Sequence, residues 1–429
     1  MSASVSPVGV ALVGFGTVGR AVARLLAEGR HPAVVLRAVC THRAAHARRT
    51  APWIGRDVVW TDRFDDVLRV DVSVVVELIG NLEPARSWIA RALMSGRSVV
   101  TANKQVMAEH GPALTALARA CGRALRFEGS VGGVTPIVCG VEGGLAADRL
   151  TRAIGIVNGT CNFVLTRMER DHVSLDDAVA DARARGFAEA DPSADLDGLD
   201  ARAKVVILSA VAFDHYVRPS DVPAESIRPI RPVDHANAAA LGKAVRQVAW
   251  VERVTGSAPA IAARVGPALV DRRSWLASAD GPRNVVVVRG ERSGDTVFVG
   301  EGAGGDATAV AVVSDLLAAA RGGAPTRPWP AACGGETAID LVAPHYVRVT
   351  TRDGHHTNSP AVELERRGLR IRTVLNGDAG NGRSSAPISR SWAALLHTCS
   401  QRAVSDALAS IFPADRVGCA ALRLPVIET

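Results

Sequence analysis

The segment from Val8 to Ala27 constrains this chain more than any other. Residues 8–14, VGVALVG, form a short valine-rich run that reads as a strand. Gly14-Phe15-Gly16-Thr17-Val18-Gly19 follows at once, and Ala21, Val22, Leu25 and Leu26 then recur at helical spacing. A G-x-G-x-x-G turn says little alone, but here it joins a strand to a helix. Its glycines let the backbone turn tightly and approach a pyrophosphate, and the helix N-terminus adds free N–H groups and a partial positive charge. Apolar runs over 33–40, 70–78 and 98–101, with a helix over 84–94, extend the alternation. Strands alternating with helices predict an α/β fold, a doubly wound parallel sheet of the Rossmann type with right-handed crossovers.

The second strand indicates which dinucleotide such a sheet takes. An NAD site places Asp or Glu at the end of that strand to hold the ribose hydroxyls. Here the strand ends Val39-Cys40-Thr41-His42-Arg43, without a carboxylate. Arg43, with Arg48 and Arg49 beyond it, suits a 2′-phosphate, so NADP(H) is preferred and NAD(H) is the second choice. Further on, residues 128–136, EGSVGGVTP, make a glycine-rich turn. It admits two readings: an oxygen cage for a hard cation, with Glu128 supplying charge, or a plain tight turn between domains.

Basic composition singles out two more residues. Of 50 basic residues against 43 acidic, only three are lysine: Lys104, Lys204 and Lys243. Lysine persists most readily where arginine cannot substitute, because lysine exchanges a proton and arginine does not. Lys104 follows the strand over 98–101, and ligands of a doubly wound sheet sit beyond the carboxyl ends of its strands. Lys204 lies in the segment 186–204, GFAEADPSADLDGLDARAK, where five acids crowd the entrance of a helix. Asp200 and Lys204 are spaced i and i+4, on one helix face, and Val205-Val206-Ile207-Leu208 carries that helix into a core. An ammonium beside carboxylates at the mouth of a buried helix suits a proton donor or a substrate clamp.

Three units are expected. Residues 1–148 hold the dinucleotide domain. Residues 149–330 hold a second α/β (α+β) region, with strands at 154–157 and 285–288 and helices at 175–185, 201–213 and 236–250. Its prolines at 219, 223, 229 and 232 mark a loop or linker, and the glycine turn 300–305 leads into a helix over 307–321 that returns to the nucleotide domain. A second linker spans 322–330. Residues 344–429 form a small unit with strands at 346–350 and 369–375, helices at 361–367 and 400–411, and a polar, mobile stretch at 376–389.

Other classes are set aside on composition. The basic residues form no long runs and aromatic partners are few, which argues against nucleic acid. No window offers 18 uninterrupted apolar residues, which argues against a membrane span. Seven scattered cysteines without a C-x-x-C pair argue for a reducing, cytoplasmic setting and against a disulfide frame.

Taken together, GFGTVG (14–19), VVVELIG (74–80), TANK (101–104), EGSVGG (128–133), GIVNGTCNF (155–163), the 186–204 segment and GEGAGG (300–305) resemble homoserine dehydrogenase, in the family's order. The resemblance implies NAD(P)H-linked interconversion of L-aspartate 4-semialdehyde and L-homoserine, in the aspartate-derived route to threonine, methionine and isoleucine. It gives Lys204 the place of the proton donor and Lys104 that of the active-site lysine. Glu189 takes the substrate amino group, and Asp195 and Asp200 further substrate contacts. Phe15, Thr17, Val18, Gly186 and Gly302 fall to the cofactor. Glu128, Val131, Gly133 and Thr135 match a sodium site. A homodimer or homotetramer is implied, with a small molecule as the only other partner. Asn81 stands in place of a second glycine and Cys161 in place of a threonine. The last unit looks like an ACT domain, the ferredoxin-like module that binds amino acids. Residues 352–360 lack the usual glycine and leucine of its Asp-x-x-Gly-x-Leu turn, so effector binding does not carry over. The neighbouring reading is an NADP-dependent reductase of a related small amino aldehyde, because fold and cofactor site do not fix a substrate.

Overall fold

A computed structural model describes residues 7–254, 260–322, 326–331, 340–352, 359–375, 389–412 and 419–427. The first sheet contains β1 (Val8–Val13), β2 (Val34–Cys40), β3 (Val59–Thr61), β4 (Val74–Glu77), β5 (Ser98–Thr101) and β6 (Leu125–Arg126). The strands are parallel in the order β3-β2-β1-β4-β5-β6. The order reverses between β1 and β4, so the crevice beyond their carboxyl ends is the ligand position of this architecture. The central strands are apolar on both faces: Val10, Leu12, Val74 and Val76 pack on one side and Ala11, Val13 and Val75 on the other. The Gly305–Ala320 helix returns from far along the chain and buries Ala309, Val312, Val313 and Leu316 in the same cluster as Val10 and Leu12.

The second sheet continues with β7 (Leu150–Ile156), β8 (Lys243–Val254), β9 (Ala260–Asp271), β10 (Arg283–Gly290) and β11 (Gly294–Glu301). They run antiparallel in the order β11-β10-β7-β8-β9. One expectation fails here. The helix expected over 236–250 is instead a short helix, Pro232–Ala240, followed by β8. Gly242 takes a left-handed φ of 69° at the break. Beyond it, Val245 packs toward the helices while Ala244, Val248 and Trp250 fill the cluster on the opposite face. A run apolar on both faces fits a central strand as well as a buried helix, so periodicity alone does not separate them.

The last unit adds β12 (Val342–Ala343), β13 (His345–Arg352), β14 (Ile371–Leu375), β15 (Ser389–Leu396), β16 (Cys399–Ser400) and β17 (Cys419–Ile427), with helices Pro360–Arg366 and Gln401–Ile411. Four of its strands lie in the order β17-β13-β15-β14 with β-α-β-β-α-β connectivity, a ferredoxin-like arrangement. β15 and β17 went unnoticed in the sequence. The unit is not set apart as expected. β17 pairs in parallel with β9 through Val426 and Ile427, so the two sheets merge into one of nine strands. The 376–388 part of the polar stretch and most of the 352–360 turn lie outside the described residues. The expected linker is likewise seated: Trp329 is buried edge-on against Phe127 at 5.3 Å.

Candidate active site

The glycine turn is built for close approach. Gly14 has φ of 103°, and a Cβ there would lie 2.6 Å from the Leu78 carbonyl oxygen, across the β1–β4 crevice. A Cβ on Gly19 would collide with the Gly14 carbonyl, whereas one on Gly16 would meet nothing within 4 Å. Gly16 thus faces open space over the start of the Thr17–Ala27 helix, which has no side-chain cap and no acid in its first turn. Four orphan N–H groups with no protein acceptor fit a phosphate. Phe15 is buried edge-on to Trp60 at 5.0 Å with the Arg20 guanidinium over its ring, so its side chain serves the core and only its backbone reaches the turn. Thr17 is exposed and abuts Gly305, and Val18 is half-buried. Arg43 occupies the N-cap position of a short helix without a side-chain capping bond, exposed together with Arg48 and Arg49, just past the end of β2.

Lys104 opens the Lys104–Ala120 helix, where Asn103 caps by accepting from Val106 N at 3.2 Å. Behind it, buried Glu77 accepts from Thr101 Oγ1 at 2.6 Å and from Ile79 N at 2.6 Å. Asn103 Nδ2 donates to the Asn81 carbonyl at 2.8 Å, so residue 81 serves through its backbone. Burial pushes the Glu77 carboxyl upward, and these donors oppose it.

The second domain supplies the facing groups. Asp200 begins the Leu199–Phe213 helix and Lys204 lies one turn on, both buried. Lys204 Nζ donates to Asp200 Oδ2 at 2.7 Å and to the Val157 carbonyl at 2.6 Å. Lys104 Nζ meets Asp200 Oδ1 at 3.1 Å across the domain boundary. The two lysines therefore converge on one carboxylate. Burial alone would raise the Asp200 carboxyl, but the two ammonium groups hold it well below the ordinary carboxylate range. Asp200 in turn raises Lys104, against the opposing effect of burial, with Asp195 and Glu189 adding to it. Lys104 is thus kept charged.

Asn158 completes the cluster and was not identified in the sequence as a site residue. It caps the Gly159–Asp171 helix through Oδ1, accepting from Cys161 N at 2.8 Å. Its Nδ2 donates to Asp195 Oδ1 at 2.7 Å and to Asp200 Oδ2 at 2.8 Å. Its position in the matched GIVNGTCNF segment was the available signal. Asp195 is half-buried and its carboxyl is raised, chiefly by burial. Glu189 sits exposed at the rim, close enough to act on Lys104 but outside the hydrogen-bonded core. Gly186, with φ of 76°, is exposed just past the Leu175–Ala184 helix. Gly302 presses on the Asn284 amide, which donates to the Val157 carbonyl at 3.4 Å, the same oxygen that Lys204 holds.

The 128–136 segment is a tight, largely buried turn. Glu128 is buried, and its carboxylate accepts from Val138 N at 2.9 Å and Cys139 N at 2.7 Å, so it braces the next helical turn. Gly132 and Gly133 take left-handed φ of 79° and 63°, Val131 is fully buried, and Thr135 Oγ1 is buried without a hydrogen-bond partner. Among the described residues no group of three or more His, Cys, Asp or Glu side chains is placed to hold a metal. No helix among them is long and apolar enough to cross a membrane.

Comparison with known proteins places these features in a family. Residues 136–317 match the family described as homoserine dehydrogenase, and residues 14–128 match its NAD binding domain. The homoserine dehydrogenase of Mycobacterium tuberculosis is 41% identical over 320 residues, 73% of each chain. That of Synechocystis is 38% identical over 314 residues, 72% of each. Among solved structures, a homoserine dehydrogenase from Thiobacillus denitrificans superposes with a TM-score of 0.85 at 29% identity, over 98% of each chain. A hyperthermophilic archaeal homoserine dehydrogenase in complex with NADPH gives 0.64 at 29% identity, over 75% of this chain and 100% of that one.

Proposed function

This chain belongs to the homoserine dehydrogenase family, and from that premise we propose how its residues divide the NAD(P)-dependent interconversion of L-aspartate 4-semialdehyde and L-homoserine. The observation that carries the reading is the convergence of Lys104 and Lys204, from two domains, on Asp200. An ammonium has three donors, and Lys204 spends two of them on Val157 and Asp200. The third points the proton at a substrate oxygen. As that oxygen gains charge in the reduction, Lys204 neutralises it and delivers the proton. In the opposite direction the neutral amine takes the hydroxyl proton. Asp200 keeps both lysines in place, and Asn158 holds Asp200 and Asp195 at a set separation. Lys104, pinned as a cation, orients the carbonyl oxygen. Glu189 and Asp195 receive the substrate ammonium through charge-assisted hydrogen bonds.

The nicotinamide cofactor, when bound, supplies or accepts the hydride. The uncapped helix start and the open face of Gly16 fit its pyrophosphate, with Gly14, Thr17, Val18, Gly19, Gly186 and Gly302 around it. Arg43 at the end of β2, with no carboxylate beside it, favours NADP(H). The residues of the 128–136 turn also fit a sodium ion: Glu128, Val131 and Gly133 would offer carbonyl oxygens and Thr135 its unpartnered hydroxyl. Purified protein with L-homoserine and NADP or NAD, followed at the NADPH absorbance band, tests the reading. Reduction of NADP at the higher kcat/KM is expected. No reduction from folded, NADPH-binding protein would overturn the substrate assignment. Arg43→Ser should lower kcat/KM with NADP and spare NAD; an unchanged ratio would remove Arg43 from the 2′-phosphate.

A further inference from the structure

The proline-rich segment 219–231 has no part in the chemistry above, yet it touches both the substrate loop and the C-terminal unit. On one side it grips the Ser193–Leu196 turn. Arg228 donates through Nε to Asp197 Oδ1 at 2.8 Å and through Nη2 to Asp197 Oδ2 at 3.3 Å and Ser193 Oγ at 3.0 Å. Ser226 Oγ adds a bond to Asp197 Oδ1 at 2.7 Å, and Ile227 N donates to the Leu196 carbonyl at 2.9 Å. Asp195, which Asn158 holds in the site, is in that same turn.

On the other side the segment is tied to the C-terminal unit. Glu225 takes Arg423 of β17 at 3.0 Å. Arg348 of β13 donates to the Pro229 carbonyl at 2.8 Å and to Asp234 Oδ1 at 2.7 Å, and Tyr346 OH reaches the same oxygen at 2.8 Å. Arg348, Tyr346 and Asp234 are all fully buried. The two sets of anchors on this short strap alternate within residues 225–229, and Pro229 fixes φ at the end of that stretch, so little slack separates them.

We propose that this strap is a positioning brace, through which the C-terminal unit sets the place of the 193–197 turn and hence the affinity for the substrate. Arg228 is its positioning residue. It lies outside the catalytic cluster and acts on Asp195 only through the turn that it clamps. The C-terminal unit then has a mechanical role that needs no bound effector. The proposal rests on the assignment of Asp195 to the substrate, so its test has one arm free of substrate.

The experiment uses the full chain, with Arg228→Gln, Arg228→Lys and Arg423→Gln. Amide hydrogen exchange without ligands is expected to quicken about three- to fivefold over residues 193–197 in Arg228→Gln, the scale of a partly exposed ion-pair network. Arg423→Gln, altered only on the C-terminal side, is expected to quicken the same residues. KM for L-homoserine should rise by a similar factor in both, with kcat and NADPH affinity near wild type, and Arg228→Lys should recover part of it. Wild-type exchange over 193–197 in Arg228→Gln overturns the brace, as does loosening confined to β17 in Arg423→Gln. If wild-type protein fails to oxidise homoserine, the substrate assignment falls while the exchange arm still decides the brace.

Discussion

Replacing Lys204 by methionine separates proton delivery from everything else this lysine does. Methionine keeps an unbranched stem of similar length, so the packing of the Leu199–Phe213 helix is preserved. Two hydrogen bonds are lost, yet neither partner is stranded. Asp200 retains Lys104 at 3.1 Å and Asn158 at 2.8 Å, and the Val157 carbonyl retains Asn284. The stability cost is therefore that of losing ordinary bonds rather than orphaning a buried charge, about 1–3 kcal/mol. Turnover should suffer more. Removing a positioned proton donor lowers kcat by roughly 10²–10⁴, equivalent to about 2.7–5.4 kcal/mol of barrier. NADPH affinity should stay near wild type, because Lys204 makes no hydrogen bond with the 14–19 turn. Thermal melting, NADPH fluorescence titration and steady-state rates with aspartate 4-semialdehyde give the three quantities. A kcat within about threefold of wild type would refute the proton-donor role. An equal loss of NADPH binding would refute the separation of roles.

Gly16→Ala should leave thermal stability unchanged, since its Cβ enters open space, while NADPH affinity falls at least about tenfold by titration. Glu189→Gln should raise KM for L-homoserine with little change in kcat, because it sits at the exposed rim, outside the hydrogen-bonded core, and its proposed role is to receive the substrate ammonium. Acid should destabilise the protein through two buried histidines. Burial lowers His235 and His345 from 6.5 to about 4, so the unfolded chain binds protons that the folded chain refuses between those values. Stability is then full above about pH 6.5 and falls as pH drops toward 4, by roughly 3 kcal/mol per histidine. Urea midpoints at pH 7.5 and pH 5 check this, and His345→Gln should flatten the difference.

Local chemistry made the nucleotide half legible from sequence. A strand, a glycine turn and a helix follow one another within 20 residues, with Gly14 and Gly19 there for close backbone approach and Gly16 leaving the helix start open. The scarcity of lysine likewise marked Lys104 and Lys204 before any geometry, because only one of the two cationic side chains exchanges protons. The Asp200–Lys204 pair was visible too, as helix periodicity puts them on one face. Other features depend on partners distant in sequence. The β8 segment, apolar on both sides, suits helix or strand alike, and its neighbours β7 and β9 decide which. Asn158 reads as an ordinary helix cap until Asp195 and Asp200 arrive at its amide. That Lys104 shares a carboxylate with Lys204, that Trp329 locks a supposed linker, and that the C-terminal unit shares its sheet with β9 are all long-range contacts. The kind of cofactor turn and the residue types for chemistry are legible locally, because they rest on backbone conformation and side-chain acidity within a few residues. Which of those residues meet depends on the folded chain, because the burial and fields that tune them come from segments well separated in sequence, as Lys104 and Asn158 are from Asp200.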